Sequence, residues 1–134
     1  MNKKEWKIYN LLKTLAQSSE AAGNQQLAAA IVYKGNIISF GQNSYKTHPF
    51  QKRFSKNDKA VYLHAETTVI YNALKKLSLS ELQKSNLYIV RIKKDGTQGL
   101  SKPCCGCSRC INTFCITNVY YTEDSKDNIG FIKL

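Results

Sequence analysis

His64-Ala65-Glu66 and Pro103-Cys104-Cys105-Gly106-Cys107 are the two stretches that decide how this chain folds and what it can bind. Together they offer an imidazole, a pair of thiols three residues apart and a carboxylate, which are residue types that bind zinc. A structural zinc site is normally closed by four protein ligands, whereas a catalytic site has three and leaves a position for water. His64, Cys104 and Cys107 are therefore candidate ligands of a catalytic metal, and the carboxylate is left to move protons.

Both motifs are expected where a helix begins. On an ideal helix His64 and Glu66 would point to different sides, so both can serve one site only at the very start of the helix. Cys104 and Cys107, three residues apart, would share a face at the start of a later helix. Two helix N-termini directed at one metal favour thiolates and bound anions electrostatically.

Length and cysteine usage limit the class of protein. The 134 residues suffice for one compact domain, and we expect a single domain over residues 1–134. No stretch approaches the ~20 apolar residues that span a bilayer, and the chain does not start with the apolar segment of a secretory signal. All five cysteines lie between residues 104 and 115, which favours metal binding over a disulfide framework. We therefore expect a cytoplasmic protein that does not associate with a membrane.

The chain is strongly basic, with a formal net charge of +11. Such a charge indicates an anionic partner, a nucleotide or a nucleic acid, although basic surfaces also arise for solubility alone. The basic residues are concentrated in residues 42–63 and 74–103, the segments that precede the two motifs.

Hydrophobic periodicity predicts an α/β fold. The expected elements, in chain order, are a helix over Lys3–Glu20, a hairpin of strands Leu27–Tyr33 and Ile37–Phe40, a polar loop over 41–60, a helix over Val61–Leu77, a strand over Leu87–Ile92, a helix starting at Cys104 or Cys105, and strands over Val119–Thr122 and Ile129–Leu134. Only a few residues separate the last two strands. A parallel crossover needs a dozen or more, so the final strand should return antiparallel, as a hairpin.

Glu66 draws attention independently of the motif. The apolar face of its predicted helix runs from Val69 to Leu77, and extending that face backwards leads to Glu66. A carboxylate at a position where the pattern expects an apolar residue is costly unless it is paired or functional. The alternative is a helix N-terminal charge stabilised by the helix dipole.

H-x-E followed by P-C-x-x-C is the signature of the zinc nucleoside and nucleobase deaminases. The chain carries it at His64, Glu66, Pro103, Cys104 and Cys107. In these motifs and in the order of its elements, the chain resembles the cytidine deaminase-like superfamily over nearly its whole length. The resemblance implies a three-layer α-β-α fold, with a mixed five-stranded sheet and helices on both faces.

The same resemblance implies a reaction. It is the hydrolytic deamination of a cytosine nucleoside or nucleotide, such as cytidine or dCMP, to the uracil form with release of ammonia. His64, Cys104 and Cys107 would hold zinc, and Glu66 would pass protons from the attacking water to the ring nitrogen and the departing amine. Deaminases of this fold often assemble, so we expect a homo-oligomer.

The remaining cysteines leave an alternative open. Cys110 repeats the three-residue spacing and could complete a four-ligand structural site with His64. Otherwise Cys110 and Cys115 are expected to be small core residues. Cys105 has no assigned role, and it could be an exposed, oxidisable thiol.

Substrate contacts are placed at Asn43, Lys46, Arg53 and Ala65. The resemblance implies that Asn43, just after the second strand, contacts the sugar, whereas the alternative is a loop residue in an Asx-turn. Lys46 and Arg53 are candidates for a phosphate. Residues 43–54 mix cations with aromatics, which can hold a phosphate and stack a base, track a nucleic-acid strand, or form a solvated basic loop.

Two other functions fit the same residues. The net charge and the basic, aromatic loop favour a deaminase that acts on bases in single-stranded DNA or RNA. The third hypothesis is a non-catalytic, zinc-containing module that binds nucleic acid. The short C-terminal tail resembles the cytidine deaminase division, while H-A-E resembles the dCMP and tRNA adenosine deaminase branch, so the motifs alone leave the base open.

Overall fold

The structure is a computed structural model, and it describes residues 1–18, 26–43, 53 and 64–134. The described residues form four helices and six strands. In chain order these are α1 (Lys3–Gln17), β1 (Gln26–Tyr33), β2 (Asn36–Gln42), α2 (Ala65–Ala73), α3 (Leu79–Gln83), β3 (Asn86–Ile92), β4 (Gln98–Gly99), α4 (Cys105–Thr113), β5 (Asn118–Thr122) and β6 (Phe131–Lys133).

The strands form one mixed sheet in the order β2-β1-β3-β5-β6, and β4 pairs with β3. β3 and β5 run parallel, and the other neighbours are antiparallel. The predicted mixed sheet and the antiparallel return of the final strand are confirmed. β4 was not predicted, because two residues are too few to produce a strand periodicity.

Helices cover both faces of this sheet. Ala28, Ala30 and Val32 of β1 pack with α1 in one core cluster. Ala29 and Ile31 point to the opposite face, where the second cluster contains residues of α2, α3 and α4. Because β1 is buried on both sides, it is a nearly continuous apolar run. The predicted three-layer α-β-α arrangement is confirmed.

The helices differ from the predictions in their limits. α2 begins at Ala65 and ends at Ala73, whereas the periodicity predicted a helix over 61–77. The sequence pattern missed α3, although Ser78 and Glu81 form a capping box at its start. Trp6, expected on the apolar face of α1, is 40% exposed, because Ile8 joins Tyr9 on the buried side.

Cys110 is a buried core residue, as predicted. The same prediction for Cys115 is wrong, since its side chain is exposed. α4 ends at Thr113, and Cys115 adopts a φ of 56°, in the left-handed region. This conformation takes Cys115 off the helical face that its spacing suggested.

None of the helices in residues 1–18, 26–43 and 64–134 combines the length and the apolar character that crossing a bilayer requires.

Candidate metal centre

Two of the predicted ligands stand at the position immediately before a helix. His64 precedes α2 with φ −88° and ψ 153°, and Cys104 precedes α4 with φ −70° and ψ 173°. Neither side chain caps its own helix, so both are available to a ligand. Cys107 lies in the first turn of α4. The expectation that both motifs lie at helix starts is confirmed.

The three side chains converge. His64 Nδ1 lies 3.2 Å from Cys107 Sγ and 3.6 Å from Cys104 Sγ, and all three ligand atoms lie within 4.8 Å of one another. Zinc bonds of about 2.3 Å to sulfur and about 2.0 Å to nitrogen place tetrahedral ligand atoms roughly 3.5–3.8 Å apart. The spacing of these atoms therefore fits one zinc ion.

The backbone of His64 is held by the two threonines that follow Glu66. The hydroxyls of Thr67 and Thr68 donate to the His64 carbonyl at 3.1 and 2.8 Å, and the Thr68 amide donates to it at 3.1 Å. These positioning contacts were not predicted. The signal was present in the sequence, because a threonine three or four residues after a helix start can bond back to the preceding carbonyl.

The two thiols share one negative charge in the structure. The hydrogen bond from Cys107, followed by that from His64, lowers the pKa of Cys104 to about 3. The pKa of Cys107 is raised, first because its thiol donates to Cys104 and second because it is buried. The site thus holds a thiolate beside a thiol proton, and a bound cation would favour the loss of that proton as well.

Glu66 is the one buried carboxylate at the site. It is 4% exposed, and its Oε1 has no hydrogen-bond partner among the described residues. Burial is the largest cause of its raised pKa. A buried polar atom without a partner is costly and calls for an explanation. A nitrogen, two sulfurs and an orphaned carboxylate oxygen are together the donor set for zinc and a water molecule.

Comparison with known families agrees with this donor set. The chain matches the family model described as the cytidine and deoxycytidylate deaminase zinc-binding region over residues 2–123. It belongs to this family. It is therefore a deaminase of the cytidine and deoxycytidylate type, and zinc is its cofactor. No curated protein sequence matches the chain.

Solved structures share the family fold. The apo dCMP deaminase from the cyanophage S-TIM5 has a TM-score of 0.64 and 22% identity, covering 94% of this chain and 88% of its own. The same phage enzyme in complex with dCMP and dUMP has a TM-score of 0.64 and 18% identity, covering 95% and 87%. A structure from work on A-to-I editing by tRNA:A34 deaminases has a TM-score of 0.59 and 22% identity, covering 90% and 78%.

Cys110, the alternative ligand, lies outside the metal-binding group found among the described residues. Its side chain is in the apolar core between the sheet and the helices. Burial, reinforced by the charge of Glu66 and opposed by Arg53, raises the pKa of Cys110 to about 12. A neutral thiol in an apolar core packs as a small hydrophobic side chain.

The candidate substrate contacts of this family member fare unequally. Asn43 extends the β1–β2 pairing: its Oδ1 accepts from the Leu27 amide at 3.2 Å, and its own amide donates to the Leu27 carbonyl at 3.2 Å. Ala65 is fully buried at the start of α2. Arg53 is an exposed helical residue whose charge acts on Cys110. Lys46 lies outside the described residues, so contacts of all four with substrate stay predictions.

Proposed function

We propose that this deaminase acts on a free cytosine nucleotide or nucleoside, of the dCMP or cytidine type, with residues 1–134 as one catalytic domain. The product is the uracil form, and the amine leaves as ammonia. The observation that carries the proposal is the buried Oε1 of Glu66, which has no partner in the described chain and belongs to the residue two positions after His64.

His64, Cys104 and Cys107 would hold zinc, which when bound supplies a Lewis acid that lowers the pKa of water. Glu66 accepts a proton from the attacking water and delivers it to the ring nitrogen, and then helps to protonate the departing amine. The raised pKa of Glu66 suits both accepting and releasing a proton near neutrality. The reaction forms one carbon–oxygen bond and breaks one carbon–nitrogen bond, with no change of oxidation state.

Two observations support a free nucleotide. The dCMP deaminase whose structure holds dCMP and dUMP is similar over 95% of this chain. In this chain Arg53 is an exposed cation close enough to influence the titration of Cys110, one turn beyond Cys107. Arg53 and Lys46 would bind the phosphate, and Asn43 would contact the sugar.

The second candidate function is deamination of a base within a single strand of DNA or RNA. The net charge of +11 favours it, as does the similarity to a structure described for tRNA:A34 deaminases. A strand substrate would use the same residues for proton transfer. The two functions differ only in what binds around the zinc site.

A substrate panel tests the proposal. Zinc-loaded protein would be offered cytosine, cytidine, dCMP, adenine and guanine nucleotides, and single-stranded oligonucleotides, with ammonia release and ultraviolet absorbance as readouts. We expect turnover of dCMP or cytidine. Inactivity on every free cytosine substrate together with uracil in an offered strand would establish the second function. Inactivity on the whole panel by protein that retains zinc would leave the non-catalytic, nucleic-acid-binding module.

A further inference from the structure

β2 is an edge strand of the described sheet, and one of its faces is turned toward α1. Ile37 and Phe40 are paired with Val32 and Ala30, whose side chains pack in the core cluster beneath α1. Residues that are paired across antiparallel strands lie on the same face. Ile37 and Phe40 therefore lie side by side along the α1 side of this edge.

These two side chains are unusually accessible. Phe40 is 54% exposed and Ile37 is 40% exposed. Ile37 lines a shallow groove with residues of α1, and Phe40 borders a second groove against the end of α2. Phe40 thus stands between two grooves that flank the edge strand.

Each groove carries a pair of lysines. Lys4 and Lys7 line the groove beside α1, and Lys75 and Lys76 line the groove beside α2. Neither groove is lined by an acidic residue among the described ones. Within the described part of the chain, none of the four lysines forms an ion pair with a carboxylate. Four uncompensated positive charges therefore surround an exposed aromatic ring, which fits an anionic partner.

The geometry of β2 argues against an added peptide strand. The pairing register skips Ile38, so β2 has a bulge there. The Lys76 ammonium donates to the Ile38 carbonyl at 3.0 Å and occupies an acceptor that an incoming strand would need. Bulges and lysines are devices that protect sheet edges from pairing. A second copy of the chain is also disfavoured, because it would bring another four lysines to the same place.

We propose that Lys4, Lys7, Ile37, Phe40, Lys75 and Lys76, named here the β2-edge surface, bind single-stranded nucleic acid. The lysines contact phosphates, and a base stacks on Phe40, the combination that sequence-independent single-strand binding uses. This surface is separate from the metal centre: Lys75 follows the end of α2, whereas His64 precedes its start, and the nine-residue helix separates them by roughly 14 Å. The proposal therefore does not depend on which substrate is deaminated.

Fluorescence anisotropy with labelled dT20 and rU20 tests the proposal, using the zinc-loaded Glu66→Gln protein so that turnover cannot alter a probe. One variant changes Lys4, Lys7, Lys75 and Lys76 to glutamine. The matched control changes four exposed lysines elsewhere, Lys84, Lys94, Lys126 and Lys133, and so removes the same net charge. We expect the surface variant to bind at least tenfold more weakly and to lose about 0.7 of salt slope per phosphate contact, while the control changes less than about threefold.

A second comparison tests the aromatic contact. Phe40→Leu should weaken binding of dT20 about fivefold or more, since base stacking on an aromatic side chain is a substantial part of such affinity. The same substitution should leave an abasic strand of equal length unaffected. Comparing dT20 with rU20 shows whether the sugar matters. We expect both to bind, because phosphates and base faces are common to the two.

The proposal fails if the control variant weakens binding as much as the surface variant, because net charge alone would then explain the affinity. It also fails if Phe40→Leu affects dT20 and the abasic strand equally. Tighter binding of a poly-glutamate peptide than of dT20 would replace it with an acidic protein partner. Each variant's fold is checked by its thermal unfolding midpoint.

Discussion

The Nδ1 atom of His64 lies 3.2 Å from the Sγ atom of Cys107, although the two residues are 43 positions apart in the sequence. They meet because α2 and α4 pack against the same face of the sheet, where Val69 and Ile70 of one helix share a core cluster with Cys110 and Ile111 of the other. The metal centre is therefore built from two helix starts, and the core that joins the helices sets its geometry.

Removal of a zinc ligand should release the metal, and removal of Cys110 should not. We expect Cys104→Ser and Cys107→Ser to lose most of the bound zinc, because each removes one of three converging ligand atoms. Cys110→Ala should keep its zinc and lose about 1 kcal/mol of unfolding free energy through a small cavity. Zinc content by mass spectrometry and urea unfolding measure both effects. Loss of zinc in Cys110→Ala would make Cys110 a ligand.

Ser101 ties the segment before Cys104 to the sheet. Its hydroxyl donates to the Ile89 carbonyl at 2.9 Å and accepts from the Thr122 amide at 2.7 Å, and the side chain is buried. Ser101→Ala leaves both backbone groups without this partner, so we expect a loss of about 2–3 kcal/mol in unfolding free energy. Ser80→Ala, at an exposed position of α3, is the control and should change stability by less than about 0.5 kcal/mol. Equal effects of the two substitutions would contradict the prediction.

Gln98 joins the C-terminal hairpin to α1. Its Oε1 accepts from Tyr9 Oη at 3.1 Å and from the Gly130 amide at 2.9 Å, and its Nε2 donates to the Glu123 carbonyl at 2.8 Å. Gln98→Leu strands several of these groups, so it should cost about 2–4 kcal/mol of unfolding free energy. Tyr9→Phe removes a single bond and should cost about 0.5–1.5 kcal/mol. A Tyr9→Phe cost equal to that of Gln98→Leu, by urea unfolding, would show that Gln98 does not organise the network.

Glu81 should stabilise the protein only above acidic pH. Its side chain accepts from the Ser78 amide at 2.9 Å in the capping box of α3, and this bond is the largest cause of its lowered pKa. Because the folded pKa lies below the unfolded value of 4.5, the contribution is present above that pH and is lost as pH falls through the folded pKa. Glu81→Gln should therefore be less stable than wild type at pH 7, and the difference should shrink toward pH 3.

Urea unfolding at both pH values measures this difference. The control is Glu123→Gln, which removes an exposed carboxylate that caps no helix of the described chain. A wild-type advantage over Glu81→Gln that persists unchanged at pH 3 would contradict the prediction.

The sequence predicted the parts of the fold that rest on strong periodicity. β1 and β3 are long apolar runs buried on both faces, and α1 has a clear buried stripe, so their approximate positions were correct. β4 and α3 were missed because each is too short to carry a period, and tertiary pairing or a local cap decides it. Cys115 was misplaced because spacing alone does not show where a helix ends.

The metal centre could be predicted further than the substrate site. His64, Cys104 and Cys107 are recognised by residue type and spacing, because zinc chemistry restricts both. Periodicity also singled out Glu66, whose burial is confirmed. Substrate contacts depend on loop conformation, which has no such restriction, so the roles of Asn43, Lys46 and Arg53 stay predictions. The same holds for homo-oligomer formation, which depends on a second chain.

The most direct measurement of the central claim is ammonia release from dCMP and cytidine by zinc-loaded wild type and Glu66→Gln, with zinc content measured on the same samples. The account predicts that wild type deaminates at least one of these substrates, and that Glu66→Gln keeps its zinc but loses activity by about 100-fold or more, because it lacks the group that transfers protons. Turnover by zinc-replete Glu66→Gln at a rate close to that of wild type would contradict the account.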